Sequence, residues 1–191
     1  MKKPVVLLVA LQDEFHVSLN APHIHVVYTG VGKINATLTT VETIHRLSPE
    51  LIINFGSAGN VSNCTQGLVE VSKVIQRDMN AEPLAPRGHT PYHAGPHVLE
   101  SGQQGVICAT GDSFVTAHDP WFTHQGIDVV DMEFYAIAHV CSLKGVQWRS
   151  LKFISDNAND DSSKDWQANV KKGQGLMLDW LGGFKFEAQR A

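Results

Sequence analysis

Val129-Val130-Asp131-Met132-Glu133 ends a short apolar, β-branched run on an acid, a methionine and a second acid, and a helix-like run from Phe134 to Leu143 follows at once. The pattern returns downstream, where Leu151-Lys152-Phe153-Ile154 runs into Ser155-Asp156 and then the polar Asn157-Ala158-Asn159-Asp160. Two strands that both stop on carboxylates describe a sheet whose C-terminal edge is polar. In open α/β sheets that edge is where ligands bind.

Working outward, Pro4 to Leu11 is a continuous Val-rich run, which suits a central strand covered on both faces. Ile24 to Tyr28 reads as a second strand with the Gly-rich exit Thr29-Gly30-Val31-Gly32. From Lys33 to Leu47, the apolar residues Ile34, Leu38, Val41, Ile44 and Leu47 recur at helical spacing, and Pro49 closes the element. Leu51 to Phe55 is a buried-strand run broken by Gly56-Ser57-Ala58-Gly59; Leu68 to Ile75 and Gly105 to Ala109 are further strands. Asn80 to Pro96, rich in Pro, His and Gly, predicts a long surface loop. Trp166, Val170, Leu176 and Trp180 space an amphipathic helix over Asp165 to Leu181. Strands alternating with helices imply one domain over residues 1–191, a three-layer α/β/α architecture around a central mixed, largely parallel twisted sheet.

The bulk numbers narrow the function. With 43% hydrophobic and 18% charged residues and a net charge of −4, the chain carries no basic footprint for nucleic acid. No apolar run approaches the ~20 residues of a membrane helix. Met1-Lys2-Lys3 and the apolar run after it mimic a short signal peptide, but Gln12-Asp13-Glu14 follows directly without a small-residue cleavage site. Cys64, Cys108 and Cys141 show no CxxC pairing and read as reduced, buried thiols of a cytoplasmic protein.

Each candidate site residue has a structural reading beside its functional one. Gly30-Val31-Gly32-Lys33 completes neither the dinucleotide fingerprint, which needs glycine where Asn35 stands, nor the P-loop, since Ile34 follows Lys33. It is first a tight strand-to-helix turn. Gly56-Ser57-Ala58-Gly59 is either another turn or a place where a ligand approaches the backbone closely. Ser57 lacks the G-x-S-x-G context of a hydrolase nucleophile. Asp131 suits a helix N-cap and Glu133 an early-helix acid, while Asp156 in a Ser-Asp-Asn turn is ordinary loop chemistry. Phe114 is by default a core ring that could instead stack on a planar base. His23 and His25, and then His89, His93 and His97, do not form a metal set.

The order of the motifs adds what none carries alone. Ala10-Leu11-Gln12-Asp13-Glu14, Gly30-Val31-Gly32-Lys33-Ile34-Asn35-Ala36, Asn54-Phe55-Gly56-Ser57-Ala58-Gly59, Gly111-Asp112-Ser113-Phe114-Val115, Val130-Asp131-Met132-Glu133 and Ile154-Ser155-Asp156 appear in turn. The chain thereby resembles the nucleoside phosphorylase/nucleosidase superfamily from residue 4 to about residue 160, most of all its 5′-methylthioadenosine/S-adenosylhomocysteine nucleosidase branch. The resemblance implies cleavage of the N-glycosidic bond of a purine nucleoside through an oxocarbenium-like transition state, with no cofactor and no metal. It makes Asp156 the acid at purine N7 and Glu14 the base that activates water. Glu133 would hold the ribose hydroxyls, Met132 would pack on the sugar, and Phe114 would stack on the base with the Val115 backbone reading its edge. Ser57, Ala58 and Gly59 would line the ribose and base pocket, and Ser155 would orient Asp156. Trp166 would stand over the 5′ group.

Phosphorylases of this superfamily hold phosphate with arginines in the loop after the first strand and in the strand before the Gly-Ser segment. Here those places hold Gln12-Asp13-Glu14 and Asn54, and an acidic loop repels a phosphate dianion. The expectation is therefore a hydrolase acting on a small-molecule adenine nucleoside, and relatives suggest a homodimer. The alternatives are a nucleosidase for another 5′-modified purine nucleoside such as futalosine, a phosphorylase, or a nucleoside-binding protein without turnover. The Arg77 to His93 region departs from the family pattern, which leaves the 5′ substituent open.

Overall fold

The computed structural model describes residues 3–159 and 161–184; Met1, Lys2 and Asp160, which the sequence places before the first strand and after the last, lie outside the described residues. Eight strands form one mixed sheet: β1 (Val5–Val9), β2 (Ile24–Tyr28), β3 (Leu51–Asn60), β4 (Leu68–Gln76), β5 (Val98–Glu100), β6 (Val106–Thr110), β7 (Val129–Asp131) and β8 (Gln147–Asp156). The helices are α1 (Lys33–Leu47), α2 (Pro120–Gln125), α3 (Phe134–Lys144), α4 (Ser162–Asn169) and α5 (Gly173–Gly183). β1 lies between β2 and β3 in parallel, and β3 runs parallel to β8 from Leu51↔Gln147 to Gly59↔Asp156. β8 pairs antiparallel with β4, β4 parallel with β6, β6 parallel with β7, and β7 returns antiparallel to the end of β3 at Gly59↔Val130. The path β3-β8-β4-β6-β7-β3 is thus closed. This is the mixed, largely parallel sheet expected.

Alternation along β1 builds the layers. Val6 and Leu8 pack with Ala36 of α1 and Ile137 of α3, whereas Val5, Leu7 and Val9 pack with Phe55, Met177 and Leu181 on the α5 side. All five β1 side chains are fully buried, so the apolar run reads as a strand covered on both faces. α3 buries Phe134, Tyr135, Ile137 and Ala138 on several faces rather than along one stripe, as a central helix must.

Several expectations are corrected. β3 does not stop at Phe55 but continues through Gly56-Ser57-Ala58-Gly59 to Asn60, and no residue of that segment has positive φ. The glycines serve close approach rather than a turn. The apolar spacing of α1 only partly faces the core: Ile44 and Leu47 pack against it, Ala36, Thr40 and Thr43 are the buried residues, and Ile34, Leu38 and Val41 are 81%, 59% and 39% exposed. Small residues on the inner face let α1 lie close to α3. The expected C-terminal helix is two, α4 and α5, separated by a 3-10 turn at Val170–Lys172. Short β5 and α2 carry too few residues for a periodic signal, although Asp119 caps α2 by accepting from Trp121 N at 2.9 Å. Cys64 is exposed rather than buried. The 80–96 loop has turns and no helix or strand, as expected. No helix among the described residues is long and apolar enough to cross a membrane.

Candidate active site

The C-terminal ends of β1, β3, β7 and β8 meet around a cleft that is open to solvent. Glu14, Ser57, Ala58, Gly59 and Asp156 line it together with Phe114 and Val115. Met132, Glu133 and Ser155 complete the expected set, and Trp166 joins them. Glu14 and Asp156, 142 positions apart, are brought together because β1, β3 and β8 run parallel and put their C-terminal ends on one edge.

Glu14 sits in the turn after β1, where its own N–H donates to the Leu11 carbonyl at 3.1 Å. Its side chain is 5% exposed. Oε1 accepts from the Ser57 amide at 2.8 Å and from Ser57 Oγ at 2.7 Å, and Oε2 accepts from the Leu11 amide at 3.1 Å. Each carboxylate oxygen offers two lone pairs, so Oε2 keeps capacity for one more donor. A Cβ on Gly56 would stand 3.2 Å from Glu14 Oε1, which explains the glycine.

Asp156 ends β8 at a register shift opposite Ala58 and Gly59. Ser155 Oγ donates to its Oδ2 at 2.8 Å and the Ala158 amide to its Oδ1 at 2.9 Å. A Cβ on Gly59 would lie only 2.9 Å from Oδ1. Ser155 thus stands where it can orient the acid. On the opposite wall Phe114 meets Trp166 edge-on at 6.5 Å, and Trp166 Nε1 donates to Ser57 Oγ at 2.8 Å.

Glu133 is held by the glycine turn that precedes α1. The Gly32 amide donates to its Oε1 at 2.7 Å, and Gly30 and Gly32 adopt φ of +77° and +91°. The Gly32 amide of this turn is thus taken by a side chain of the protein. Burial first, then the neighbouring Asp131 charge, pushes the Glu133 carboxyl up to about 7. Lys33 turns away to Asp78 at 2.6 Å.

Beneath the cleft lies a buried ion pair that the sequence reading missed. Lys152 Nζ and Asp131 Oδ2 are 2.7 Å apart, with side chains 1% and 0% exposed. Asp131 also accepts from Thr110 Oγ1 at 2.5 Å and from the Phe134 amide at 2.9 Å; the N-cap position of α3 is held by Glu133, not by Asp131 as expected. Burial opposes both charges; the pair overrides it, holding Asp131 below and Lys152 above their ordinary values. The available signal was a lysine inside an otherwise apolar strand run.

Arg77 is the second unforeseen wall residue, 5% exposed. Its guanidinium donates to the Gly111 carbonyl at 2.9 Å, to Ser113 Oγ at 3.2 Å and to the Ser113 carbonyl, fixing the loop that carries Phe114. Asn54 is 2% exposed, donates to the Leu8 carbonyl at 3.2 Å and accepts from Ser150 Oγ at 3.0 Å. His89, His93, His97 and His139 cluster away from the cleft lining. No group of three His, Cys, Asp or Glu among the described residues is placed to hold a metal ion.

Known proteins resemble this chain at two levels, sequence and fold. The 5′-methylthioadenosine/S-adenosylhomocysteine nucleosidases of Shewanella putrefaciens and Shewanella oneidensis are each 31% identical over 170 residues, covering 75% of this chain and 72% and 71% of theirs. In fold, the chain is similar to a mutant MTAN of Helicobacter pylori with 5′-methylthioadenosine in its active site, at TM-score 0.83 and 20% identity over 96% of this chain and 100% of that one. It is equally similar to the futalosine hydrolase of Helicobacter pylori, at TM-score 0.82 and 22% identity over 94% and 96% of the two chains. With the defining sequence pattern matched over residues 11–177, the chain belongs to the Phosphorylase superfamily.

Proposed function

We propose that the protein is a purine nucleosidase that hydrolyses the N-glycosidic bond of an adenine nucleoside, of which 5′-methylthioadenosine and S-adenosylhomocysteine are the leading candidates. The observation that carries this reading is the convergence of Glu14, Glu133 and Asp156 on one cleft. Asp156, carrying a proton, donates to purine N7 and draws electrons out of the breaking bond. Glu14 accepts a proton from water, which attacks the anomeric carbon as the base departs. Glu133 accepts hydrogen bonds from the ribose hydroxyls, and its charge favours the developing cation. Phe114 stacks on the base with the Val115 backbone at its edge, and Met132 packs on the sugar. Ser57, Ala58 and Gly59 form the floor under both, and Trp166 faces the 5′ group.

Water rather than phosphate as acceptor is supported by how the cations are used. Arg77, in the cleft lining, is engaged with Gly111 and Ser113, and the buried Lys152 with Asp131. Asn54 has its polar atoms bonded inside the sheet, and Glu14 would repel a phosphate dianion. Fold similarity to futalosine hydrolase keeps a second reading, a nucleosidase for a different 5′-modified purine nucleoside.

A panel of purine nucleosides with varied 5′ groups, assayed with and without inorganic phosphate, tests this. The expected products are free base and free sugar at a rate independent of phosphate. Sugar 1-phosphate would establish a phosphorylase, and no base release from any member would leave a binding protein.

A further inference from the structure

Helix α4 lies outside the apolar core. Among the described residues, none of α4 belongs to the buried hydrophobic clusters, and Ser162 is its one fully buried residue. Its side chains reach the strands through two hydrogen bonds among the described residues. Trp166 Nε1 donates to Ser57 Oγ of β3 at 2.8 Å, and Asn169 Nδ2 donates to the Ser155 carbonyl of β8 at 2.8 Å. Residues three apart share one helix face. The two serines stand beside the register shift between β3 and β8, and each supports one acid. Ser57 Oγ donates to Glu14 Oε1 at 2.7 Å, and Ser155 Oγ donates to Asp156 Oδ2 at 2.8 Å.

We propose that Trp166 and Asn169 are positioning residues, which align Glu14 and Asp156 with each other across the cleft by way of Ser57 and Ser155. The inference rests on the base and acid roles given to those two carboxyls above. Donor and acceptor chemistry allows the first chain one direction. An indole N–H only donates and a carboxylate only accepts, so the Ser57 hydroxyl accepts from Trp166 and gives its proton to Glu14. With the Ser57 amide at 2.8 Å, this fills both lone pairs of Oε1. Oε2, which accepts from the Leu11 amide at 3.1 Å, keeps a lone pair for the proton of the attacking water. The Ser57 hydroxyl is also kept from donating to that water, whose own lone pair must stay free for the anomeric carbon. Asn169 is oriented as firmly. Lys172 Nζ, a donor only, lies 2.6 Å from Oδ1, so Nδ2 faces the Ser155 carbonyl. That bond pins the backbone of the residue whose hydroxyl orients Asp156. One face of α4 thereby sets the spacing of acid and base, and Trp166 serves the base through its N–H as well as the 5′ group through its ring.

The test is the kinetics of Trp166→Phe, which keeps a ring and removes the N–H, and of Asn169→Leu, which keeps the shape and removes the donor. Both are measured on the nucleoside that the wild type cleaves fastest. Each should lower kcat about tenfold or more with a much smaller change in KM. Trp166→Phe should cost far less in a Glu14→Gln background than in an Asp156→Asn background, because its effect is carried by Glu14. Asn169→Leu should show the reverse. An equal loss in both backgrounds, a rise in KM alone, or a lower melting temperature at unchanged kcat assigns these side chains to packing and overturns the proposal. The first chain is also read without substrate. The Trp166 indole N–H resonance, assigned among those of the four tryptophans with Trp166→Phe, should be protected from solvent exchange and shift in both Ser57→Ala and Glu14→Gln, because bonds in a chain polarise one another. An indole signal indifferent to both substitutions sinks the inference even in an active enzyme. A responsive signal in a protein that cleaves no nucleoside upholds the coupling and rejects the proposed reaction, so the two failures are told apart.

Discussion

Asp156 and Glu14 occupy opposite ends of the proposed chemistry, and their surroundings differ accordingly. Glu14 is fixed by three donors on two oxygens, whereas Asp156 is oriented by one hydroxyl and one amide. Asp156→Asn should lower base release by about 10²–10⁴-fold while nucleoside affinity, measured calorimetrically, changes little. Turnover at the wild-type rate would remove Asp156 as the acid. Glu14→Gln keeps the shape and one acceptor oxygen, so a comparable loss in single-turnover rate without loss of fold is expected. At this scale the sequence was informative about acids and poor about their supports. Most of the expected lining residues are found at the cleft because they lie near the C-terminal end of a strand or in the segment that follows it, positions that motif order identifies. Lys152 and Arg77 were missed because their partners, Asp131 and the Gly111-Ser113 loop, are distant in sequence and the pairing is created only by the sheet.

Strand β3 shows what element-level reading could not supply. Its glycines interrupt the apolar run, and a Gly-Ser-Ala-Gly segment reads as a break until the neighbouring side chains are known. In the fold they make room for Glu14 and Asp156 against an unbroken strand. Gly59→Ala would place a methyl 2.9 Å from Asp156 Oδ1 and 3.2 Å from Val130 Cγ2. Overpacking of this kind costs about 1–3 kcal/mol. The expected outcome is a modestly lower melting temperature and a larger fall in kcat than in substrate affinity; a variant with wild-type kcat would show that Asp156 tolerates displacement. Helix α1 makes the complementary point. Its helical period was legible, but the stripe made by Ile34, Leu38 and Val41 points outward, since the closeness of α3 selects Ala36, Thr40 and Thr43 for the inner face.

For the whole molecule, that exposed stripe supports the proposal that two copies of the chain associate through α1. Wild-type protein should sediment as a dimer, and an Ile34→Glu/Leu38→Glu double variant as a monomer with the melting transition of a folded protein. A monomeric wild type would refute it. The layered architecture itself was legible because alternating strand and helix runs admit few arrangements. The closure of the strand path was not, as β7 and β4 reach their antiparallel partners through contacts that no local pattern announces. That closure has a consequence for how the chain is made. β8 pairs along its length with β3, a strand emerging from the ribosome 96 residues earlier by the pair Leu51↔Gln147. Folding dominated by such distant pairings is slow. A growing chain that has not yet released β8 has β3 and β4 open on the sides that β8 will fill, and it lacks both Lys152 and Asp156. Acquisition of the ordered cleft should therefore be a late event, with nascent chains presenting unpaired strand edges to chaperones until then.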